Sequence, residues 1–402
     1  MSPRRRDPDG DGPGSSAPAR SRAGTRKAAG PVVAVTAASG PAGRAVTAAL
    51  GARVGARGGP REVIAIDRHG SLPDGTRADN VTWRTGDVTA PEVVSLLTGA
   101  DVVVHLAAAD DLAAALATSH RKRRADAVRA VQTVTTAAAA AGAGLLVVVT
   151  SAMIYGARPD NPVPLADDDE RRAGPDDGLV GDMLEIERIL ERTPRVHPGL
   201  SVCVVRPAAL AGGGADTVVS RHFEAPRLLV VRGSHSLWQF CHVEDLGTAV
   251  AEVIRHGVTG AVTVGCDGAL EEEDVERISG MRRVEVPSGL AFGTAERLHR
   301  VGVLPMPATD LSYVVHPWVV GSTRLLERGW TAQHDNSECL AELLKGISGR
   351  HAVAGRRMDR RDAALGAAGA AVALLGTAAV LRQARVRQAR GRQGRPDAGE
   401  RG

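Results

Sequence analysis

The stretch Pro31–Gly43 (PVVAVTAASGPAG) constrains the fold more than any other part of this 402-residue chain. Val32–Val35 is a β-branched apolar run that reads as a buried strand, and Arg44–Leu50 carries a helical pattern. Between them lies a small-residue turn with glycine at 40 and 43 and alanine at 37, where a first glycine is expected. A strand, a tight turn and a helix N-terminus in that order bring backbone N–H groups close to a pyrophosphate. Ala37, Ser39, Gly40, Pro41, Ala42 and Gly43 are therefore the predicted phosphate-side contacts. Pro41 suits the first helical turn, where its missing donor costs nothing. The extra methyl of Ala37 is expected to be absorbed by a slightly wider turn.

Downstream, short apolar runs alternate with helical stretches. Glu62–Asp67, Val81–Val88, Asp101–Ala107 and Leu145–Thr150 read as strands, and one long helix is expected over Ala113–Ala141. That alternation predicts an α/β fold, a Rossmann-type doubly wound parallel sheet, with ligands at the carboxyl ends of its strands. Asp67 ends the second strand and is placed to accept a hydrogen bond from an adenine-ribose 2′-hydroxyl, which favours NAD over NADP. Arg68 directly after it keeps NADP open. The Gly/Arg-rich stretch Gly51–Pro60 lengthens the usual spacing between the turn and that acid.

The chain is long enough to bury a large core, yet aromatic residues make up only 2% of it, so Ala, Val and Leu must fill the interior. The formal charge of +4 comes largely from the two ends and does not indicate a nucleic-acid ligand. Cys203, Cys241, Cys266 and Cys339 are widely spaced with no CxxC pair, which predicts reduced thiols in a cytoplasmic protein and no metal site. Residues 1–29 read as a disordered basic tail without an apolar leader. Residues 30–207 are assigned to the nucleotide-binding part and 208–348 to an interleaved, smaller α/β substrate part. Residues 349–402 form an Arg-rich tail. Within it, Ala363–Leu381 is 19 residues without a charge, nine of them alanine. Its length suits a membrane contact, placing the protein against the inner face of the membrane, although insertion of so alanine-rich a segment is marginal.

Seven segments then fall in a recognisable order: TAASGPAG (36–43), GDV (86–88), HLAA (105–108), TSAMIYG (150–156), VVRPAAL (204–210), WQFCHVEDLGTAV (238–250) and LLERGW (325–330). Together they resemble the NAD-dependent epimerase/dehydratase family of extended short-chain dehydrogenases/reductases, typified by UDP-glucose 4-epimerase. The resemblance implies an NAD cofactor, a nucleotide-sugar ligand and a homodimer. It adds Asp87 and Val88 beside the adenine, Leu106, Ala107 and Ala108 along the middle of the cofactor, and Pro207 beside the nicotinamide. Ser151 matches the family's active-site serine.

The same resemblance exposes a loss. The family's Tyr-x-x-x-Lys pair, in which the lysine charge lowers the pKa of the proton-transferring tyrosine, falls on Leu179 and Met183. The supporting asparagine position falls on Ala127. The chain's two tyrosines, Tyr155 and Tyr313, are each followed four residues later by proline, at 159 and 317. The standard proton relay is absent. The sequence thus predicts an NAD-binding member acting as a dinucleotide-responsive binding module. The alternative is an active nucleotide-sugar enzyme with a substitute acid/base, for which Asp182 is the candidate. Otherwise Asp182 and Glu185 read as a solvated helix face with Arg188, and Asp167–Glu170 as a solvated loop. His242 reads as a packing histidine, and Arg221 and Arg232 as candidate sugar-nucleotide contacts.

Overall fold

Seven short runs, all but Val81–Thr85 largely aliphatic, become the seven parallel strands of one sheet. The computed structural model describes residues 30–68, 80–107, 110–176, 178–225, 227–301 and 306–348, with the backbone of 352–353 and 356–357. Its strands are β1 (Val32–Thr36), β2 (Glu62–Asp67), β3 (Val81–Thr85), β4 (Val102–Leu106), β5 (Leu145–Val149), β6 (Ser201–Pro207), β7 (Ala209–Ala211), β8 (Leu228–Val231), β9 (Phe240–His242), β10 (Gly260–Val264) and β11 (Arg283–Val286). The large sheet runs β10-β6-β5-β4-β1-β2-β3 with every pairing parallel. Two small parallel pairs, β7 with β9 and β8 with β11, belong to the second half.

All residues of β1, β4 and β5 are buried, because helices cover both faces. Alternate side chains feed two separate cores. Val33 and Val35 join Val63 and Ala65 on one face, while Ala34 joins Ile64 and Ile66 on the other. Each fully buried valine contributes roughly 1.5–3 kcal/mol, and the few aromatic residues, Tyr155 and Phe240 among them, are buried in the same core.

The helices are α1 (Pro41–Gly51), α2 (Val93–Leu97), α3 (Leu112–Leu116), α4 (His120–Ala140), α5 (Leu179–Val196), α6 (Val218–Phe223), α7 (Val243–His256), α8 (Glu272–Ser279), α9 (Ser288–Arg300), α10 (Thr323–Leu326) and α11 (Asn336–Ile347). α7, from the second half, packs on α1 so closely that a Cβ on Gly247 would lie 2.7 Å from the Ala45 carbonyl oxygen. β10, also from the second half, completes the sheet edge beside β6.

Three local expectations are corrected. The helix expected over Ala113–Ala141 is two helices. Asp111 caps α3 through the Ala114 N–H, and Ser119, in extended backbone, caps α4 through the Lys122 N–H. Two such caps offer the backbone a stop and a restart within the alanine-rich run. The strand expected over Val81–Val88 ends at Thr85, and Gly86–Val88 leaves the sheet. Asp167 is buried rather than solvated: its carboxylate accepts the Thr263 N–H and hydroxyl and the Arg324 N–H, tying the loop before α5 to β10 and α10. Among the described residues, no helix is long and apolar enough to cross a membrane. Residues 1–29 and the apolar segment 363–381 lie outside the described residues.

Candidate functional site

In the strand order, the chain winds outward from β1 in one direction and from β4 in the other. The crevice between their carboxyl ends is the switch point where such sheets bind ligands. Two loops meet there, the turn Ala37–Gly40 after β1 and the segment after β4.

The first loop forms as the sequence predicts, with one difference. Ala37 takes φ +55°, the left-handed region, so its methyl is accommodated by backbone strain and not by a wider turn. Gly43 is demanded by close approach, since a Cβ there would lie 2.4 Å from the Ala37 carbonyl oxygen. Gly40 sits at the N-cap of α1 in extended backbone and offers no capping side chain, with Pro41 at the first helical position. Asp67, at the end of β2, accepts the Ser39 N–H at 3.0 Å and so braces the turn from below. Arg44 closes the turn from the other side, donating to the Ser39 carbonyl at 2.5 Å and to the Gly213 carbonyl at 3.2 Å.

Beyond β3, Asp87 accepts both the N–H and the hydroxyl of Thr89, which hold its pKa below the usual carboxylate range. Arg68 reaches across to Asp87 at 3.1 Å, so this arginine is engaged within the crevice wall. Val88 packs against the core formed by α2 and α4. Leu106 is buried at the end of β4, and the Ala107 N–H donates to the Val149 carbonyl. Ala108 lies outside the described residues.

Where the reaction centre is expected, a cavity of about 60 Å³ is lined by Ser151, Leu179, Met183, Pro207 and Trp318 among others. Leu179 and Met183, on which the resemblance places the family's tyrosine and lysine, line this cavity together with Ser151. The Ser151 hydroxyl oxygen accepts the Met153 N–H and caps a short 3₁₀ turn, Ala152–Tyr155. Ala127 lies on α4, partly buried against the core. The two tyrosines are committed elsewhere. Tyr155 donates to the Asp167 carbonyl and accepts from Arg206, and burial pushes its pKa up to about 12. Tyr313 donates to the Met153 carbonyl, and burial raises its pKa further.

Asp182 departs from both of its sequence readings. It is neither a solvated helix face nor a lining residue of the cavity. It is 3% exposed, with Arg123 Nε donating to Oδ2 at 2.6 Å and Arg124 Nε to Oδ1 at 2.8 Å. Both oxygens hold α5 against α4. Glu185 and Arg188, by contrast, do form an exposed surface pair.

Sequence reasoning missed a buried network behind the cavity. Glu187, eight residues after Leu179, pairs with Arg206 at 2.7 Å and also accepts the Thr150 hydroxyl at 2.8 Å. The signal was available: Arg206 opens the Arg-Pro dipeptide, and Glu187 continues the four-residue spacing of Leu179 and Met183 along one helix face.

In the second half, Arg221 is buried and bound bidentately by Asp216, at 2.7 Å on each oxygen, while Arg232 is exposed. Arg221 borders a larger cavity of about 410 Å³ between α6, α9 and Asp310. Neither Asp310 carboxylate oxygen has a hydrogen-bond partner among the described residues, and burial pushes its pKa up to about 7. His242 caps α7 through its Nδ1, bonds Glu342 at 2.9 Å and stacks on His334 at 3.7 Å. His242, Glu244 and His334 bring ligand-type atoms within 4.8 Å of one another. The stacked imidazoles are bonded to Glu342 and Asp245, which accounts for the cluster as a latch between α7 and α11.

A doubly wound sheet with a glycine turn at its switch point defines a dinucleotide-binding class of α/β protein. The model of the NAD dependent epimerase/dehydratase family matches residues 33–265, and the chain belongs to that family. An uncharacterized protein of Mycobacterium tuberculosis (strain H37Rv) is 25% identical over 289 residues, 71% of this chain and 76% of its own. Among solved structures, MoeE5 in complex with UDP-glucuronic acid and NAD superposes with a TM-score of 0.57 at 22% identity, covering 78% of this chain and 98% of its own. DesIV, a dTDP-glucose 4,6-dehydratase from Streptomyces venezuelae with NAD bound, gives 0.57 at 16% identity, covering 79% and 96%. UDP-glucose 4-epimerase from Thermus thermophilus with NAD gives 0.56 at 15% identity, covering 79% and 99%.

Proposed function

We propose that this chain binds NAD and a nucleotide sugar as a dinucleotide-responsive module, without the tyrosine–lysine proton relay of its family. The observation that carries this reading is that Leu179 and Met183 face Ser151 and Pro207 across one small cavity. Neither side chain can accept or donate a proton near neutral pH. NAD binding is supported by family membership and by the turn Ala37–Gly40, the α1 N-terminus and Asp67, which have the chemistry to hold a pyrophosphate and a ribose hydroxyl. The group itself supplies hydride chemistry when bound. The chain's part is to bind and orient it beside Pro207 and Ser151.

The alternative, an active enzyme with a substitute base, gains nothing from Asp182, whose two oxygens are both bound by arginines. Self-association is proposed through α4 and α5, as the family resemblance implies.

Absorbance of the nicotinamide in the NAD-loaded full chain, recorded while UDP- and dTDP-sugars are added, tests the reading. Bound NAD that stays oxidised across the panel is expected. Reduced nicotinamide would establish an acid/base elsewhere in the chain and overturn the module.

A further inference from the structure

The N-terminus of α1 already carries an anion. Asp110, three residues beyond Ala107 on the second loop of the crevice, accepts the Ala42 N–H on Oδ2 at 2.7 Å. Its two carboxylate oxygens also lie against Gly40, where a Cβ would come within 2.9 and 3.0 Å of them. These are the two positions, the cap glycine and the first free donor of the helix, that a pyrophosphate uses in this class of fold.

Asp110 is not a loose surface acid. Its own carbonyl accepts the Asp216 N–H at 2.8 Å, and the Asp216 carbonyl accepts the Leu112 N–H at 2.9 Å. The Asp216 carboxylate also accepts the Ala113 N–H at 3.0 Å. Asp216 is in turn clamped by Arg221. The carboxylate is thus presented to α1 by a braced segment that joins the crevice to the second half of the chain.

Resting on the NAD reading above, we propose that Asp110 is the chain's own occupant of the pyrophosphate cradle, a specificity-determining residue that a dinucleotide must displace in order to bind. Two anions cannot share the Ala42 N–H and the Gly40 surface, since like charges in contact repel. The dinucleotide linker carries negative charge on both phosphates, so it meets a competitor instead of an open helix end. Burial raises the pKa of Asp110, with the Ala42 N–H opposing that shift. The carboxylate is therefore held in place at the expense of its own hydration. The consequence is a cradle that binds dinucleotide weakly until the segment around Asp110 and Asp216 gives way.

The test is calorimetric titration of the full chain with NAD and, separately, with inorganic pyrophosphate. The variants are Asp110→Ala, Asp110→Asn and Asp110→Ala combined with Gly40→Arg. Loss of a charge-assisted competitor is expected to tighten both ligands by about ten-fold or more in Asp110→Ala. Asp110→Asn, which keeps the shape and an acceptor for Ala42, serves as the fold-preserving variant and should gain less. Adding Gly40→Arg should abolish the gain. Wild-type binding of NAD with no gain in either Asp110 variant overturns the inference and leaves the NAD reading standing. A gain for pyrophosphate alone, with no NAD bound by any variant, keeps the Asp110 assignment and overturns the NAD reading. No gain for either ligand overturns the assignment.

Discussion

Glu187 and Arg206 face each other inside the protein, Nη2 to Oε2 at 2.7 Å and Nε to Oε1 at 3.2 Å, with their side chains 2% and 8% exposed. The pair lies in the wall behind Leu179 and Met183 and is shared with Thr150 and Tyr155. It ties α5 to β6 behind the cavity that Leu179 and Met183 line. Removing one partner leaves a buried charge uncompensated. Glu187→Ala is expected to destabilise by roughly 3–5 kcal/mol in urea unfolding. Combining Glu187→Leu with Arg206→Met, which removes both charges, should cost clearly less than either change alone. A double change that costs the sum of the two single changes would show that the pair is not coupled.

Asp182 gives the second prediction. With Arg123 and Arg124 on its two oxygens, it is a brace between α4 and α5. Asp182→Asn should lower stability by roughly 1–3 kcal/mol and leave NAD affinity unchanged. An unaltered melting temperature with altered nicotinamide reduction would instead make it the substitute base.

The turn after β1 gives the third. Ala37 at φ +55° carries strain of roughly 1 kcal/mol that glycine does not. Ala37→Gly is therefore expected to raise thermal stability modestly without weakening NAD. Gly43→Ala should do the opposite and severely, because its methyl would meet the Ala37 carbonyl backbone. Equal melting temperatures for Ala37→Gly and wild type would show that the strain is released elsewhere.

Asp310 predicts a pH dependence. Its carboxyl is buried, with both oxygens unpartnered among the described residues, and its pKa is raised from 3.8 to about 7. Between those two pH values the folded chain holds this proton and the unfolded chain releases it. The contribution of Asp310 to stability is accordingly complete below about pH 4 and is lost as pH rises through about 7. Asp310→Asn should flatten that loss and make the chain more stable than wild type at pH 8, on the order of a few kcal/mol. A wild-type profile that does not fall between pH 4 and 7 relative to Asp310→Asn would refute it.

Much of the architecture was legible in the sequence because strand burial is a local pattern. Glu62–Asp67 is β2 to the residue, and the turn Ala37–Gly43 lies where its glycines and Pro41 place it. Leu179 and Met183 reach one cavity with Ser151 by helical spacing alone, which the sequence already placed on one helix face. The Ala113–Ala141 helix failed for a local reason, the caps Asp111 and Ser119. Two other readings failed for a common one: Asp167 and Asp182 have partners far away in sequence, Thr263 and Arg324 for the first, Arg123 and Arg124 for the second. Cys266 and Cys339, widely separated in sequence, likewise meet at 3.6 Å in the core.

By itself the sequence determined a parallel doubly wound sheet, a glycine turn at its first strand and a chain with no Tyr-x-x-x-Lys pair. All three depend on residue type at short, regular spacing. Only the tertiary structure decided which carboxylate sits where. The crossover from β1 to β4 brings Asp110 to the N-terminus of α1 across 68 residues of chain. The same folding turns Asp182 and Glu187 inward onto arginines from other elements. A carboxylate written in sequence has no fixed role, because its charge acts over a few ångströms of space and the sheet order sets what lies within that reach.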